Sequence, residues 1–287
     1  MNWFKLWGVI AATGASLAFA ACSSSSNNTN ADGGTGTDDG GGGGDGGGGD
    51  DGSSSGGSPY AGQIRLSVSN GKASGAASFQ KIESDSLHCQ TSTVGPCHVL
   101  ICPDSPLDTD GGATPVSAGT ITIAGGSAPL TLNLSSVSGV YQSSATNVTF
   151  TAGATATVSA TGGDVPAFDG KTTKVPGDIT VTDSYDTIDF TKDAVMKWSG
   201  GTDGKVAVNI VVADTSTATI SCQFDATAGT GTIPKDAFKN VPSCADSGNA
   251  LCTYEVVPVS SATFTAGEYG ITFEAHGDGQ VGTFTNP

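Results

Sequence analysis

The chain has 287 residues and a formal net charge of −16, with 27 acidic side chains against 11 basic ones. Its one arginine, Arg65, and its scattered lysines argue against nucleic-acid binding, which needs clustered cations to displace counterions. They argue equally against docking onto an anionic membrane face through protein charge.

The first element is an export leader over residues 1–21, with one positive charge at Lys5 and an apolar run closing on small residues. It is too short for a membrane-spanning helix and reads as a signal peptide. Phe19-Ala20-Ala21-Cys22 resembles a bacterial lipobox, although Phe19 stands where leucine is usual. That resemblance implies that Cys22 carries lipid and anchors the chain to a membrane. Ser23, in place of aspartate, points by analogy with enterobacterial sorting to the outer membrane rather than the inner. Ordinary cleavage after Ala18-Phe19-Ala20 is the alternative. Residues 22–58 follow as a lipid-anchored tether of glycine, aspartate and serine, with too little apolar surface to offset ordering entropy. Gly-rich scaling gives this disordered segment a reach of roughly 30–36 Å.

Beyond the tether the chain reads as strand after strand. Alternating or β-branched runs fall at 63–69, 98–101, 120–123, 130–134, 147–150, 155–160, 178–181, 194–198, 206–212, 218–224, 253–257, 261–264, 269–273 and 281–284. Gly, Pro, Asn and Asp punctuate them at the spacing of a sandwich. One short helix is predicted at 234–240, with Pro234 suited to a first helical position. No alternation of strand and helix suggests a parallel α/β sheet.

Two segments echo each other. Thr149-Phe150-Thr151-Ala152-Gly153 returns as Thr263-Phe264-Thr265-Ala266-Gly267, and Ala118-Gly119-Thr120-Ile121-Thr122-Ile123 is echoed by Ala228-Gly229-Thr230-Gly231-Thr232-Ile233. The echo predicts an all-β protein with two Ig-like antiparallel β-sandwich domains in tandem after the tether. The first spans 59–168 and the second 178–287, joined by the polar stretch between. Coincidence in a Thr/Ala/Gly-rich chain is the alternative.

Trp198-Ser199-Gly200-Gly201, Cys222, Gly231-Thr232-Ile233-Pro234 and Gly162-Gly163-Asp164-Val165-Pro166 look like segments of bacterial surface lipoproteins with Ig-like modules. Many of these also carry a Gly/Asp/Ser tether. The resemblance implies a fold and a cell-envelope location, and brings no functional residue with it.

Setting Cys22 aside leaves Cys89, Cys97, Cys102, Cys222, Cys244 and Cys252, an even set in a chain bound for an oxidising compartment. Gly95-Pro96 inside one short loop and Asp246-Ser247-Gly248-Asn249 inside another suggest Cys89–Cys97 and Cys244–Cys252. The remaining pair is then Cys102–Cys222, a bridge between the halves, unless both stay as buried thiols.

Catalytic signatures are wanting. Gly277-Asp278-Gly279-Gln280-Val281-Gly282 matches G-x-G-x-x-G but leaves no room for the helix a dinucleotide site needs. Gly170-Lys171-Thr172 lacks the first glycine of a phosphate loop, and neither H-E-x-x-H nor G-x-S-x-G occurs. Of the histidines, His88 and His98 flank the Cys89–Cys97 segment, and the pair reads as surface residues. Asp104, Asp108 and Asp110, and Asp183, Asp186 and Asp189 around Tyr185, lack EF-hand spacing and read as solvated loops rather than a metal site. Trp198, in a strand, reads as core rather than as a sugar platform. The sequence therefore points to a non-catalytic cell-envelope lipoprotein presenting sandwich domains for binding or structural roles. Its partner is a protein or glycan that the sequence leaves open, and no cofactor or metal is called for. A hydrolase with a site assembled from loops, or a glycan-binding module, is the alternative.

Overall fold

The computed structural model describes residues 60–82, 89–102, 113–136, 138–143, 147–213, 217–244 and 251–286. The leader, Cys22, the tether, His88, and Asp104, Asp108 and Asp110 lie outside these residues.

The chain is all-β. Its strands are β1 (Tyr60–Ser69), β2 (Lys72–Ile82), β3 (Gln90–Val94), β4 (Cys97–Cys102), β5 (Ala113–Pro115), β6 (Ile121–Ala124), β7 (Leu130–Leu134), β8 (Tyr141–Ser143) and β9 (Thr155–Ala160). They continue as β10 (Phe168–Lys174), β11 (Thr180–Val181), β12 (Ala194–Ser199), β13 (Lys205–Ala213), β14 (Thr217–Asp225), β15 (Thr230–Ile233), β16 (Leu251–Ala266), β17 (Tyr269–His276) and β18 (Gln280–Thr283). The predicted helix at 234–240 is a single 3-10 turn, Lys235–Phe238, and Pro234 stands just before it in extended conformation.

One long sheet runs β10-β9-β6-β7-β8-β2-β1-β17-β16-β13-β14-β4-β3, with β5 beside β2 and β18 beside β16. A separate three-stranded sheet, β11-β12-β15, packs over the far end. Among these strands pairing is antiparallel except between β1 and β17, where the chain returns from its last third to lie parallel to its first strand.

Two hydrophobic cores result. The first gathers Ile64, Leu66, Phe79, Ile121, Leu132, Tyr141 and Val158 with Ile271 and Phe273 from the end of the chain. The second gathers Met196, Trp198, Val208, Ile210, Ile220, Tyr254 and Val256 with Cys97 and Val99 from near its start. The polar group of Tyr141 is satisfied inside the first core, where its hydroxyl oxygen accepts the Ala118 N–H at 2.8 Å.

Strand exchange therefore crosses the boundary expected between tandem domains twice. The hairpin β3–β4 leaves the first half and pairs with β14 of the second, and β17 leaves the second half and pairs with β1. The stretch from Phe168, expected to join two domains, begins with β10, which pairs with β9 and buries Phe168 in the first core, and Val175 just after it is buried there too. The echoed segments part company in the same way. Ile123 on β6 and Ile233 on β15 take matching inward positions in different cores, but Phe150 and Phe264 pack against the same first core. Gly153 and Gly267, which end the two longer echoes, both adopt positive φ, at 81° and 60°. This is the left-handed turn that glycine permits.

All six cysteines bridge, with partners that correct two of the three expected pairs. Cys244–Cys252 holds, whereas the others are Cys89–Cys102 and Cys97–Cys222. The reason is hairpin geometry. Gly95-Pro96 is the turn between β3 and β4, and Val94 pairs with Cys97 directly across it. Cys89 is therefore at the open end of the hairpin, beside Cys102 and away from Cys97. Cys97 faces Cys222 in the register of β4 with β14. A bridge between the halves does exist, but through Cys97.

Candidate functional site: a polar cluster in the bend of the sheet

Side chains alternate across a strand, so the residues between the core positions of β1 and β17 share the opposite face. On β1 these are Gln63, Arg65 and Ser67, between Ile64, Leu66 and Val68. On β17 they are Thr272, Glu274 and His276. On β16 the even-numbered Cys252, Tyr254 and Val256 face the second core, and Phe264 and Ala266 face the first. Both cores thus lie against one face of the long sheet, and Glu255 points from the other.

On that other face a polar cluster assembles. Arg65 forms an ion pair with Glu255, and its Nε–H donates to Ser67 Oγ at 3.2 Å. Asn209 on β13 donates to Glu255 at 3.0 Å, and Ser221 on β14 donates to Asn209 at 2.8 Å. Gln63 donates to Glu274 at 3.4 Å, and His276 Nε2 lies 3.1 Å from Glu274 Oε2. His276 is only 4% exposed, and its Nδ1 is buried without a hydrogen-bond partner among the described residues. A small apolar patch of Ala207, Val257 and Val259 adjoins on the same face.

The Arg65–Glu255 pair requires the sheet to curl. Arg65 stands opposite Glu274, and Glu274 opposite Ser261 of β16. Glu255 is six residues away along that strand, about 20 Å in a flat sheet at 3.3–3.4 Å per residue. Two side chains cannot span that distance, so the ion pair exists because β16 bends as it passes from one core to the other. Val259, which pairs with both Lys205 and His276, marks the bend.

Burial pushes the carboxyl of Glu255 upward, but the Arg65 guanidinium, His276 and the Asn209 hydrogen bond outweigh it and hold the group below the usual range. Glu274 behaves alike: burial opposes, and the hydrogen bond and charge of His276, then Arg65 and Gln63, lower it. Both carboxyls are therefore ionised at neutral pH.

Most residues singled out in the sequence lie elsewhere. His98 is exposed beside Thr93 and stands directly opposite Ser221 in the register of β4 with β14, so it ends the cross-strand row of Glu255, Asn209 and Ser221 at the outer edge of the cluster. Asp183 pairs with Lys197, Asp186 with Ser184, and Asp189 with Lys192 and Thr191, so the three acids turn to separate partners. These contacts, Lys192 foremost, lower Asp189 to about 2. Tyr185 is core, its hydroxyl accepting the Lys197 N–H at 2.6 Å. No group of three His, Cys, Asp or Glu able to hold a metal occurs among the described residues. The glycines of the G-x-G-x-x-G match serve close packing: a Cβ on Gly279 would sit 2.2 Å from the Val256 carbonyl, and one on Gly282 would strike the Tyr254 ring.

Sequence reading weighed Arg65 only as a count of positive charge and passed over Glu255, Glu274 and His276. A usable signal was present: polar residues in phase within otherwise apolar strands, drawn from types this chain rarely uses. No family model, curated protein or solved structure matches the chain.

Proposed function

We propose that this protein is a non-catalytic cell-envelope lipoprotein that presents its two cores on a lipid-anchored tether for binding or structural roles. The observation that carries the reading is the set of three disulfides, one of which stitches strands 125 residues apart. Bridges of this kind belong to oxidising compartments outside the cytoplasm. The lipobox-like Phe19-Ala20-Ala21-Cys22 and the Gly/Asp/Ser stretch behind it supply the means of attachment, with the outer membrane favoured by Ser23. Acyl chains contribute about 0.8 kcal/mol per buried methylene, so loss of the lipid releases the chain. The expected result is that the wild type partitions into the detergent phase and Cys22→Ala into the aqueous phase. A wild type found in the aqueous phase refutes the anchor.

A further inference from the structure

The chain's only arginine and two of its four glutamates meet in one place, on the face turned away from both cores, at the bend of the strand the cores share. We propose that this cluster is an acid-released latch that holds the curl of the sheet and so fixes one core relative to the other. Arg65 stands on β1, whose inward residues belong to the first core. Glu255 stands on the half of β16 whose inward residues belong to the second. Their ion pair is thus a side-chain tie between the two leaves of the sheet.

The charged groups facing the latch are few. Arg65 comes from β1, Glu274 and His276 from β17 and Glu255 from β16, while β13 and β14 contribute the uncharged Asn209 and Ser221 and β18 sets Val281 beside Glu255. The remaining titratable group in this row is His98 on β4, three strands from Glu255, exposed and bonded to Thr93. The nearest other charges along these strands have partners of their own: Lys205 pairs with Asp225 at the exposed end of β13, the Asp278 carboxylate beyond β17 accepts from Ser69 at the end of β1, and Asp178 accepts the Asp278 N–H. The bend is thus held by one cation between two carboxylates, with His276 bonded to one of them.

The direction of the switch follows from linkage. Both glutamates ionise more readily in the folded cluster than in an unfolded chain. Their stabilisation is therefore complete above the ordinary carboxylate range and is lost as pH falls through their folded values. Each carboxylate that takes a proton loses its charge, and Arg65 is left without an ionic partner in a half-buried place. The three disulfides and the backbone pairing do not titrate in this range, so the cores outlast the latch.

Because Arg65 is the only arginine, its Nε–H gives a single side-chain cross-peak in a 1H–15N spectrum of the whole protein. At neutral pH that peak is expected to lie away from the position of a free guanidinium. As pH falls below the ordinary glutamate value of about 4.3 and through the lower folded values, it is expected to move to the free position while the backbone peaks of Ile64, Phe273 and Val208 stay dispersed. Solution scattering over the same range should show the maximum dimension increase. Glu255→Gln should show the free position already at neutral pH with the core spectrum intact. His276→Gln keeps a donor toward Glu274 and should retain the wild-type position at neutral pH. An Arg65 peak that holds its position until the core peaks collapse with it overturns the latch, as does Glu255→Gln with a wild-type Arg65 peak. Should Glu255→Gln fail to fold, the wild-type titration decides alone.

Discussion

Trp198 shows how far a single residue can be read from its neighbours. Its place in a strand beside Met196 marks it as core, and it is 4% exposed, packed near Phe224, with its indole N–H donating to the Ala226 carbonyl at 2.7 Å. A buried indole needs such an acceptor, and the turn at 226–228 delivers it. Trp198→Ala should cost about 3–5 kcal/mol, read as a fall in the urea midpoint. An unchanged midpoint would place the side chain outside the core. Arg65, Glu255, Glu274 and His276 were not legible in the same way. Each lies in a strand whose alternation is plain, so the facing of each side chain can be read, but their meeting depends on the curl of β16. Curl is a property of strands distant in sequence, and nothing in the local pattern encodes it.

At the scale of the element, legibility followed side-chain size. Strands rich in branched residues, such as β13 and β14, stand out in the sequence, whereas β2 passes unnoticed because its inward positions include Ala73, Gly75 and Ala77. The small side chains have a reason: a Cβ on Gly75 would lie 2.6 Å from Leu132, so this strand must lie close to its neighbours. The hairpin β3–β4 was half seen. Its turn was recognised, but β3 is exposed and polar, QTSTV, with no apolar face to announce it. Its attachment depends on covalent bonds, with Cys89–Cys102 closing the open end and Cys97–Cys222 riveting it to β14. Thermolysin digestion without reductant, with cuts before Val94 and Val99 separating the three cysteines, should link Cys89 to Cys102 and Cys97 to Cys222. A Cys89–Cys97 peptide would contradict the structure. The double change Cys97→Ala/Cys222→Ala removes a bridge closing a loop of more than a hundred residues. It should cost up to about 4–5 kcal/mol in the chain-entropy model.

For the whole molecule, the sequence conveyed the class and concealed the connection. Alternating runs and dense turns are local signals, so an all-β fold with two cores could be read from them. Which strand joins which core is a matter of long-range pairing, and the echo of Thr149–Gly153 in 263–267 suggested two self-contained copies. The echoed segments instead line the same core, because β17 and the end of β16 cross over to pair with β1. The halves therefore complete one another. A fragment of residues 178–287, the expected second domain, would keep β12 to β15 but lose β3 and β4, and with them Cys97 and Val99 of the second core. Its β14 would be left as an unpaired edge and Cys222 as a free thiol. Its own Phe264, Ala266, Ile271, Phe273 and Ala275 would have no first core to cover them, leaving a continuous apolar surface in water. Burial lost on both counts removes several side chains at about 1.5–3 kcal/mol each, against a total stability of only about 5–15 kcal/mol for a typical domain. The fragment should accordingly show no cooperative urea transition and poor dispersion in its proton spectrum, while the chain from residue 59 onward shows both. A fragment that unfolds cooperatively, with dispersed methyl signals, would mean that the second core closes without the hairpin and that the interlacing is dispensable.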